Sequence, residues 1–214
     1  MGSCCISSLI DEGSVESHRY YLSRRTVFEM LRDRCYDVPD SEIDLSLQDF
    51  RSIYGQKPDL ERLRISVPLL SDPSKRILVI FCGTDVVKVS IIRGISSQIV
   101  NKDNLTGVML ILQNKITSQA QQAVDVFPFK VEIFQITDLL MNITKHILMP
   151  KHEILTNEEK QKLLKKLNLE DNQIPRMLKK DAIARYYGLE KGQVVKSTYD
   201  GEITDSHVSY RCVM

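Results

Sequence analysis

The sequence predicts an α/β N-terminal domain with a partly parallel sheet, followed by a small, separate α+β unit. Three observations carry this. Short apolar runs, rich in β-branched residues, recur at 77–81, 107–112 and 129–134 and alternate with helix-period segments. The texture changes between Asn142 and Pro150. Beyond it, a capped helix precedes two segments of period-two alternation. The expected division is a leader over residues 1–14, an N-terminal domain over 15–145 and a C-terminal domain over 146–214.

Each element has its own signal. From Glu16 to about Tyr36 the pattern is helical, with Tyr20, Val27 and Leu31 on one face and Arg24, Arg32 and Asp33 largely away from it. Ser46-Leu47-Gln48-Asp49 reads as the capped start of a short helix that ends near Gly55. Leu63, Ile65 and Val67 alternate with Arg62, Arg64 and Ser66 as a half-buried strand, which Pro68 and Pro73 are expected to close. Ile77 to Phe81 is too short and too β-branched for a helix and reads as a buried strand. Val89, Ile92, Ile95 and Ile99 give an amphipathic helix entered near Thr84 or Asp85. Gly107 to Leu112 is a second apolar strand, Thr117 to Val126 a short helix and Phe129 to Phe134 a third strand.

In the C-terminal part, Thr156-Asn157-Glu158-Glu159 is a capping box, and Leu163, Leu164 and Leu167 form the expected buried side of its helix. Gln173-Ile174-Pro175 is extended, because the residue before proline avoids the helical region. Asp181 caps a short helix that Gly188 ends. Gln193 to Thr198 and His207 to Val213 alternate as strands around a turn near Asp200-Gly201.

Composition narrows the function classes. With 29 Lys+Arg against 28 Asp+Glu and a net charge of +1, bulk charge does not drive polyanion binding, although a local basic patch is compatible with it. The 43% hydrophobic content suits a folded chain, and no apolar run reaches the roughly 18 residues of a membrane span. Five scattered cysteines without a C-x-x-C pair suit reduced thiols, and the four histidines have no metal-ligand spacing. Met1-Gly2-Ser3-Cys4-Cys5 resembles an acylated N-terminus, but Ile6 stands where the pattern wants Ser or Thr, and Arg211 where prenylation wants Cys. No membrane partner is expected.

Gly188, Gly192 and Lys196 only loosely echo a phosphate loop, since the glycine does not immediately precede the lysine. A metal-dependent nuclease needs an acid and an acid-x-lysine pair on neighbouring strands. Asp40 and Asp59 are candidates for the first acid, but the acid-x-lysine falls in Glu158-Glu159-Lys160, inside the C-terminal helix. Ser-hydrolase, zinc-helix and dinucleotide fingerprints are absent, so no catalytic residue, cofactor, metal or small-molecule substrate is expected. What remains is arginine beside tyrosine: Pro150-Lys151-His152, Pro175-Arg176, Arg185-Tyr186 and Tyr210-Arg211. These residue types are enriched at protein interfaces, and equally serve as ordinary surface arginines whose stems cover apolar neighbours.

Through Leu148-Met149-Pro150-Lys151-His152, Gln173-Ile174-Pro175-Arg176, Asp181-Ala182-Ile183-Ala184-Arg185-Tyr186, Gly188-Leu189, Gly192-Gln193-Val194-Val195-Lys196 and Tyr210-Arg211, the chain resembles the C-terminal domain of the fifth-largest, shared subunit of eukaryotic RNA polymerases. Arg25-Thr26-Val27, Met30-Leu31, Asp33-Arg34, Gln113-Asn114-Lys115-Ile116-Thr117 and Asn142-Ile143-Thr144 resemble the family's N-terminal jaw domain, so the resemblance covers roughly residues 17 to 214. Departures from the usual pattern are Ala182-Ile183 for Pro-Val, Cys35 for glycine, Ser118 for proline and Ser197-Thr198-Tyr199-Asp200-Gly201-Glu202 where Ile-Ile-Arg and then Ser-Glu are usual. With Ser17-His18-Arg19-Tyr20-Tyr21-Leu22 and Ser206-His207-Val208-Ser209-Tyr210-Arg211-Cys212, they resemble the family's specialised plant RNA polymerase V branch, which acts in RNA-directed DNA methylation.

The resemblance implies a nuclear, non-catalytic subunit of a DNA-directed RNA polymerase. It implies a nuclease-like, three-layer jaw with a mixed sheet, and a C-terminal domain that docks on the largest subunit beside other polymerase subunits. Pro150, Lys151, His152, Pro175, Arg176, Arg185, Tyr186, Tyr210 and Arg211 would form that interface. Lys115, Thr117 and Ser118 correspond to the segment nearest downstream double-stranded DNA, where contacts position phosphates without reading bases. The alternatives are a subunit shared by polymerases I, II and III, a stand-alone metal-dependent nuclease and an acylated membrane adaptor.

Overall fold

The computed structural model describes residues 13–99, 104–170, 173–200 and 207–214. The expected leader, apart from its last two residues, lies outside the described residues, as do Gly201, Glu202 and Ser206. The chain forms two compact units, Met1–Met141 and Asn142–Met214.

The first unit opens with α1 (Val15–Asp33), whose N-terminus is capped by the Ser14 side chain accepting from Ser17 N–H. A short helix α2 (Asp40–Ile43), not anticipated from the sequence, precedes α3 (Leu47–Tyr54). Ser46 caps α3 and Gly55 ends it, as expected. Four strands follow: β1 (Ile65–Leu69), β2 (Asp72–Phe81), β3 (Leu105–Leu112) and β4 (Lys130–Gln135), ordered β1-β2-β3-β4. β1 and β2 are antiparallel, whereas β2–β3 and β3–β4 are parallel. Helices α4 (Val89–Gln98) and α5 (Ser118–Asp125) make the two parallel crossovers. The mixed sheet predicted from alternating periods is therefore present.

Helices cover both faces of this sheet. On one, Val108, Leu110 and Leu112 pack with Ile92 and Ile95 of α4 and Ala120 and Val124 of α5. On the other, Tyr20 of α1 meets Phe81 edge-on at 5.9 Å, above the buried Met109 and Ile111. Gly107 is required where β3 meets β4, because a Cβ there would come within 2.9 Å of the Lys130 carbonyl oxygen.

Two expectations for this unit are corrected. Pro68 and Pro73 lie inside β1 and β2 rather than closing the strand, and the turn falls between them. β1 is an edge strand, where a missing N–H costs no ladder bond, and the Pro68 carbonyl still accepts from Asp37 N–H at 2.9 Å. Helix α4 starts at Val89, not near Thr84 or Asp85. Val87 is instead held in an isolated parallel bridge to Ile116, which keeps the preceding loop extended.

The second unit is a four-stranded sheet ordered β5-β7-β8-β6, with β5 (Lys151–Ile154), β6 (Arg176–Met177), β7 (Val194–Tyr199) and β8 (His207–Val213). β7 pairs antiparallel with both β5 and β8, and the short β6 is parallel to β8. Helices α6 (Asn157–Leu167) and α7 (Ala182–Tyr186) lie on opposite faces. Leu164 of α6 packs with Val194 and Cys212, whereas Ala184 of α7 packs with Val195 and Val213. The capping box predicted at Thr156 is complete, with Thr156 and Glu159 each satisfying the other's backbone N–H. Asp181 caps α7 through Ile183 N–H, and Gly188 follows the helix at φ 64°, a left-handed conformation suited to glycine. The expected buried side of α6 is corrected: Leu164 is buried, Leu163 is half-buried, and Leu167 is 48% exposed.

Candidate assembly and nucleic-acid surfaces

In a parallel sheet the loops at the carboxyl ends of the strands are freest to vary. Here the loop after β2 and the loop after β3 are tied together. Val87 N–H donates to the Lys115 carbonyl and Thr117 N–H donates to the Val87 carbonyl, both at 3.1 Å. Asn114 Nδ2 adds a bond to the Thr84 carbonyl at 3.2 Å, and its Oδ1 accepts from Lys115 N–H at 2.7 Å. This lattice fixes the backbone of Lys115 while its side chain is exposed. Lys88, exposed at the start of α4, stands one residue from the same bridge. The sequence reading missed it because the bridge joins segments far apart in the chain.

Thr117 is the N-cap of α5, its Oγ1 accepting from Ala120 N–H at 3.3 Å. Ser118 is therefore the first helical residue, exposed, with a backbone N–H that has no intrahelical acceptor. Neither α4 nor α5 has an acidic residue in its first turn, so the positive ends of both helices go uncompensated locally. The loop is anchored below by Gln113 Nε2 donating to the Tyr20 hydroxyl at 2.5 Å. Burial, with Glu16 nearby, pushes the Tyr20 hydroxyl up to about 12, so it stays protonated.

In the second unit, strand alternation divides the predicted interface residues between two faces. His152 pairs with Ser197 and Arg211 with Val195, putting both on the α7 face, on which Arg185 also lies by its place in α7. Burial pushes the His152 imidazole below its ordinary value, with Asp181 partly opposing, so it is neutral at pH 7. Lys151 and Tyr210 belong to the α6 face, opposite Thr198 and Lys196. There Glu153 is gripped by Lys196 Nζ at 2.9 Å and Lys151 Nζ at 3.0 Å. Pro175 and Arg176 are exposed where the chain enters β6, and Pro150 is half-buried before β5. Tyr186 is not on the surface. It is 3% exposed, and its hydroxyl accepts from Asn142 Nδ2 at 3.1 Å, so it holds the unit together.

The acids considered for nuclease chemistry are occupied elsewhere. Asp40 starts α2 beside Arg32 Nη1, and Asp59 Oδ1 accepts from Glu61 N–H in a turn. Glu158-Glu159-Lys160 belongs to the other unit, where Glu159 serves the capping box and Lys160 Nζ donates to the Gly192 carbonyl. Cys82 is buried, which pushes its thiol up to about 11 and makes it a poor nucleophile. Among the described residues, no helix is long and apolar enough to cross a membrane.

An α/β unit and a small α+β unit, with exposed polar residues on a hydrogen-bonded double loop in one and on both sheet faces in the other, suit the class of assembly proteins. Comparison with known sequences makes the class specific. Family models for RNA polymerase Rpb5 match the N-terminal domain over residues 14–99 and the C-terminal domain over residues 141–213. The chain is 57% identical to DNA-directed RNA polymerase V subunit 5A of Arabidopsis thaliana, over 98% of this chain and 94% of the relative. It is 54% identical to RNA polymerase V subunit 5C of the same plant, over 100% and 91%. With subunit RPABC1 of RNA polymerases I, II and III from Caenorhabditis briggsae it shares 33% identity, over 95% and 99%. The chain belongs to the RNA polymerase Rpb5 family, whose members are non-catalytic subunits of the polymerase complex.

Proposed function

We propose that this chain is the subunit-5 component of a plant-type RNA polymerase V, working in the nucleus in RNA-directed DNA methylation. The observation that carries this reading is the identity gap: 57% to the polymerase V subunit against 33% to the subunit shared by polymerases I, II and III. In this reading the C-terminal unit docks on the largest subunit. The N-terminal unit is a jaw of nuclease-like architecture without nuclease chemistry, standing beside downstream DNA.

The two roles ask different things of the residues. Docking needs a surface fixed by packing, and the α7 face has one in His152, Arg185 and Arg211, set around the core of Ala184, Val195 and Val213. Pro150, Lys151 and Arg176 extend the contact at its margins. DNA support needs few charges, since the rest of the assembly supplies most of the field. Lys115 and Lys88 supply positive charge and Thr117-Ser118 a helix N-terminus, all on one hydrogen-bonded double loop.

Affinity purification of the tagged native protein, with identification of its largest partner, tests the reading. Recovery of the polymerase V largest subunit supports it. Recovery of the largest subunits of polymerases I, II and III would favour the shared-subunit reading, and recovery of no polymerase subunit would reject both. Arg211→Glu and Arg185→Glu should each cut that recovery about tenfold or more. Lys115→Ala should lower the salt slope of template retention by about one unit.

A further inference from the structure

Helix α6 leaves part of its apolar side uncovered. A groove of about 230 Å³ runs between α6 and the outer edge of β8, lined by Leu163, Leu164 and Leu167 on one wall and Pro175, Val208 and Tyr210 on the other. Its polar lining is slight, and it is smaller than the roughly 300–1,000 Å³ typical of cofactor and drug-sized sites. It suits one or two inserted side chains of a larger partner. Leu167 is 48% exposed, Val208 38% and Leu169 37%, an exposed apolar cluster lining one groove.

The charges on the α6 side of the groove are mainly basic, with Glu170 after Leu169 and Glu159 near Lys162 as the acids beside them. On α6, Lys162 and Lys166 are four residues apart and so form an exposed lysine ridge on one side of the helix, turned outward from Leu163 and Leu167. Lys165 continues the basic last turn, and Arg176 is exposed directly after Pro175 at the groove's far wall. The helix's own acids, Glu158 and Glu159, sit in its first turn at the opposite end, and Glu159 is committed to the capping box. Glu170 is the acidic residue nearest the basic end. The walls are rigid: Lys160 Nζ ties α6 to the Gly192 carbonyl at 3.0 Å, and β8 is fixed along its other edge to β7.

We propose that this groove docks an acidic amphipathic helix from a polypeptide partner, with branched apolar side chains in the groove and Asp or Glu residues against Lys162, Lys166 and Arg176. The charge complementarity decides the occupant: apolar teeth alone would accept any amphipathic helix, whereas the lysine ridge repels a basic one and attracts an acidic one. The groove lies on the opposite face of the sheet from His152 and Arg211, and it shares Pro175, Arg176 and Tyr210 with the residues expected at the assembly contact.

The test uses the full chain and two fluorescein-labelled peptides with the same leucines at helical spacing, one on a Glu/Asp background and one on a Lys background. Fluorescence anisotropy should find the acidic peptide bound about tenfold or more tightly, with the preference fading at high salt. Leu167→Ser should weaken it about tenfold without altering the circular dichroism melt, because Leu167 is half out of the core. Lys162→Glu with Lys166→Glu should reverse the preference between the peptides. Equal binding of both peptides, or binding indifferent to Leu167, would overturn the proposal. So would a concentration-dependent dimer in sedimentation that Leu167→Glu abolishes, since the groove would then be a contact between copies. Retention of the Leu167→Ser chain in the purified polymerase separates this site from the assembly surface.

Discussion

Arg34 and Glu132, 98 residues apart in sequence, form an ion pair at 2.8 Å that fastens the end of α1 to the edge strand β4. Their side chains are 8% and 18% exposed, so the pair is largely desolvated. Lys130 Nζ, at 3.4 Å from the other carboxylate oxygen, gives Glu132 a second partner. Removing the arginine alone leaves a partly compensated buried carboxylate. Arg34→Ala should therefore cost about 2 kcal/mol, below the usual 3–5 for breaking a fully buried pair. Urea unfolding measures it. The double variant Arg34→Met, Glu132→Leu should recover most of the loss, and a coupling free energy near zero would reject the pair as a structural fastener.

How much of this was legible beforehand follows from what a local pattern encodes. Period-two runs and the capping residues Ser46, Thr156 and Asp181 act within a few residues of themselves; the caps stand where they are expected, whereas the run from Leu63 gives a strand that starts at Ile65 and passes through Pro68. Strand β5 was missed because Lys151-His152-Glu153-Ile154 has no apolar alternation. It is a strand only because β7 offers it a partner some forty residues on. Tyr186 looked like an interface aromatic beside an arginine, and only its bond to Asn142 reveals it as core. Tyr210 and Arg211 were read together, but neighbours on a strand face opposite ways, and the sheet has helices on both sides. The double loop at Lys115 was half legible: its own motif was visible, while its bond to Val87 is a tertiary contact.

Cys35 ends α1 at φ 64°, in the left-handed region, with its N–H bonded to the Arg32 carbonyl and its carbonyl accepting from Leu70 N–H. A side chain with a Cβ costs about 1–2 kcal/mol there, which is why the family pattern has glycine at this place. Glycine returns part of that as backbone entropy in the unfolded chain. Cys35→Gly should stabilise the protein by about 0.5–1 kcal/mol in urea unfolding. Cys35→Ala should not, and equal gains from both variants would mean that the thiol rather than the backbone is at issue.

The Glu153 carboxyl is held below its ordinary value by hydrogen bonds from Lys196 and Lys151, and the Lys196 ammonium is correspondingly raised. A lowered acid stabilises the fold once pH exceeds the unfolded value and loses that contribution as pH falls through the folded one. The second unit should thus weaken progressively below about pH 4.5, and Glu153→Gln should flatten that slope, lowering stability at pH 7 while changing little at pH 3. Because the carboxylate is solvent-accessible, salt should shrink the difference. Urea midpoints at pH 3, 5 and 7 measure it, and an unchanged slope in the variant would remove this pair as a contributor.

Ser118 opens α5 at the first helical position, where proline costs no intrahelical hydrogen bond and its fixed φ is already suited. Thr117 before it sits at φ −73° and ψ 150°, the extended backbone that a following proline requires. Ser118→Pro should therefore fold normally and stabilise the first unit by about 0.4–1 kcal/mol through the unfolded chain. It also deletes the exposed N–H beside Thr117. If that N–H donates to a DNA phosphate in the polymerase, the variant will be more stable yet retain template less well, by several-fold at moderate salt. Stability without loss of retention would leave Lys115 and Lys88 as the contacts of the double loop, and Lys88→Ala would then match Lys115→Ala in lowering the salt slope by about one unit.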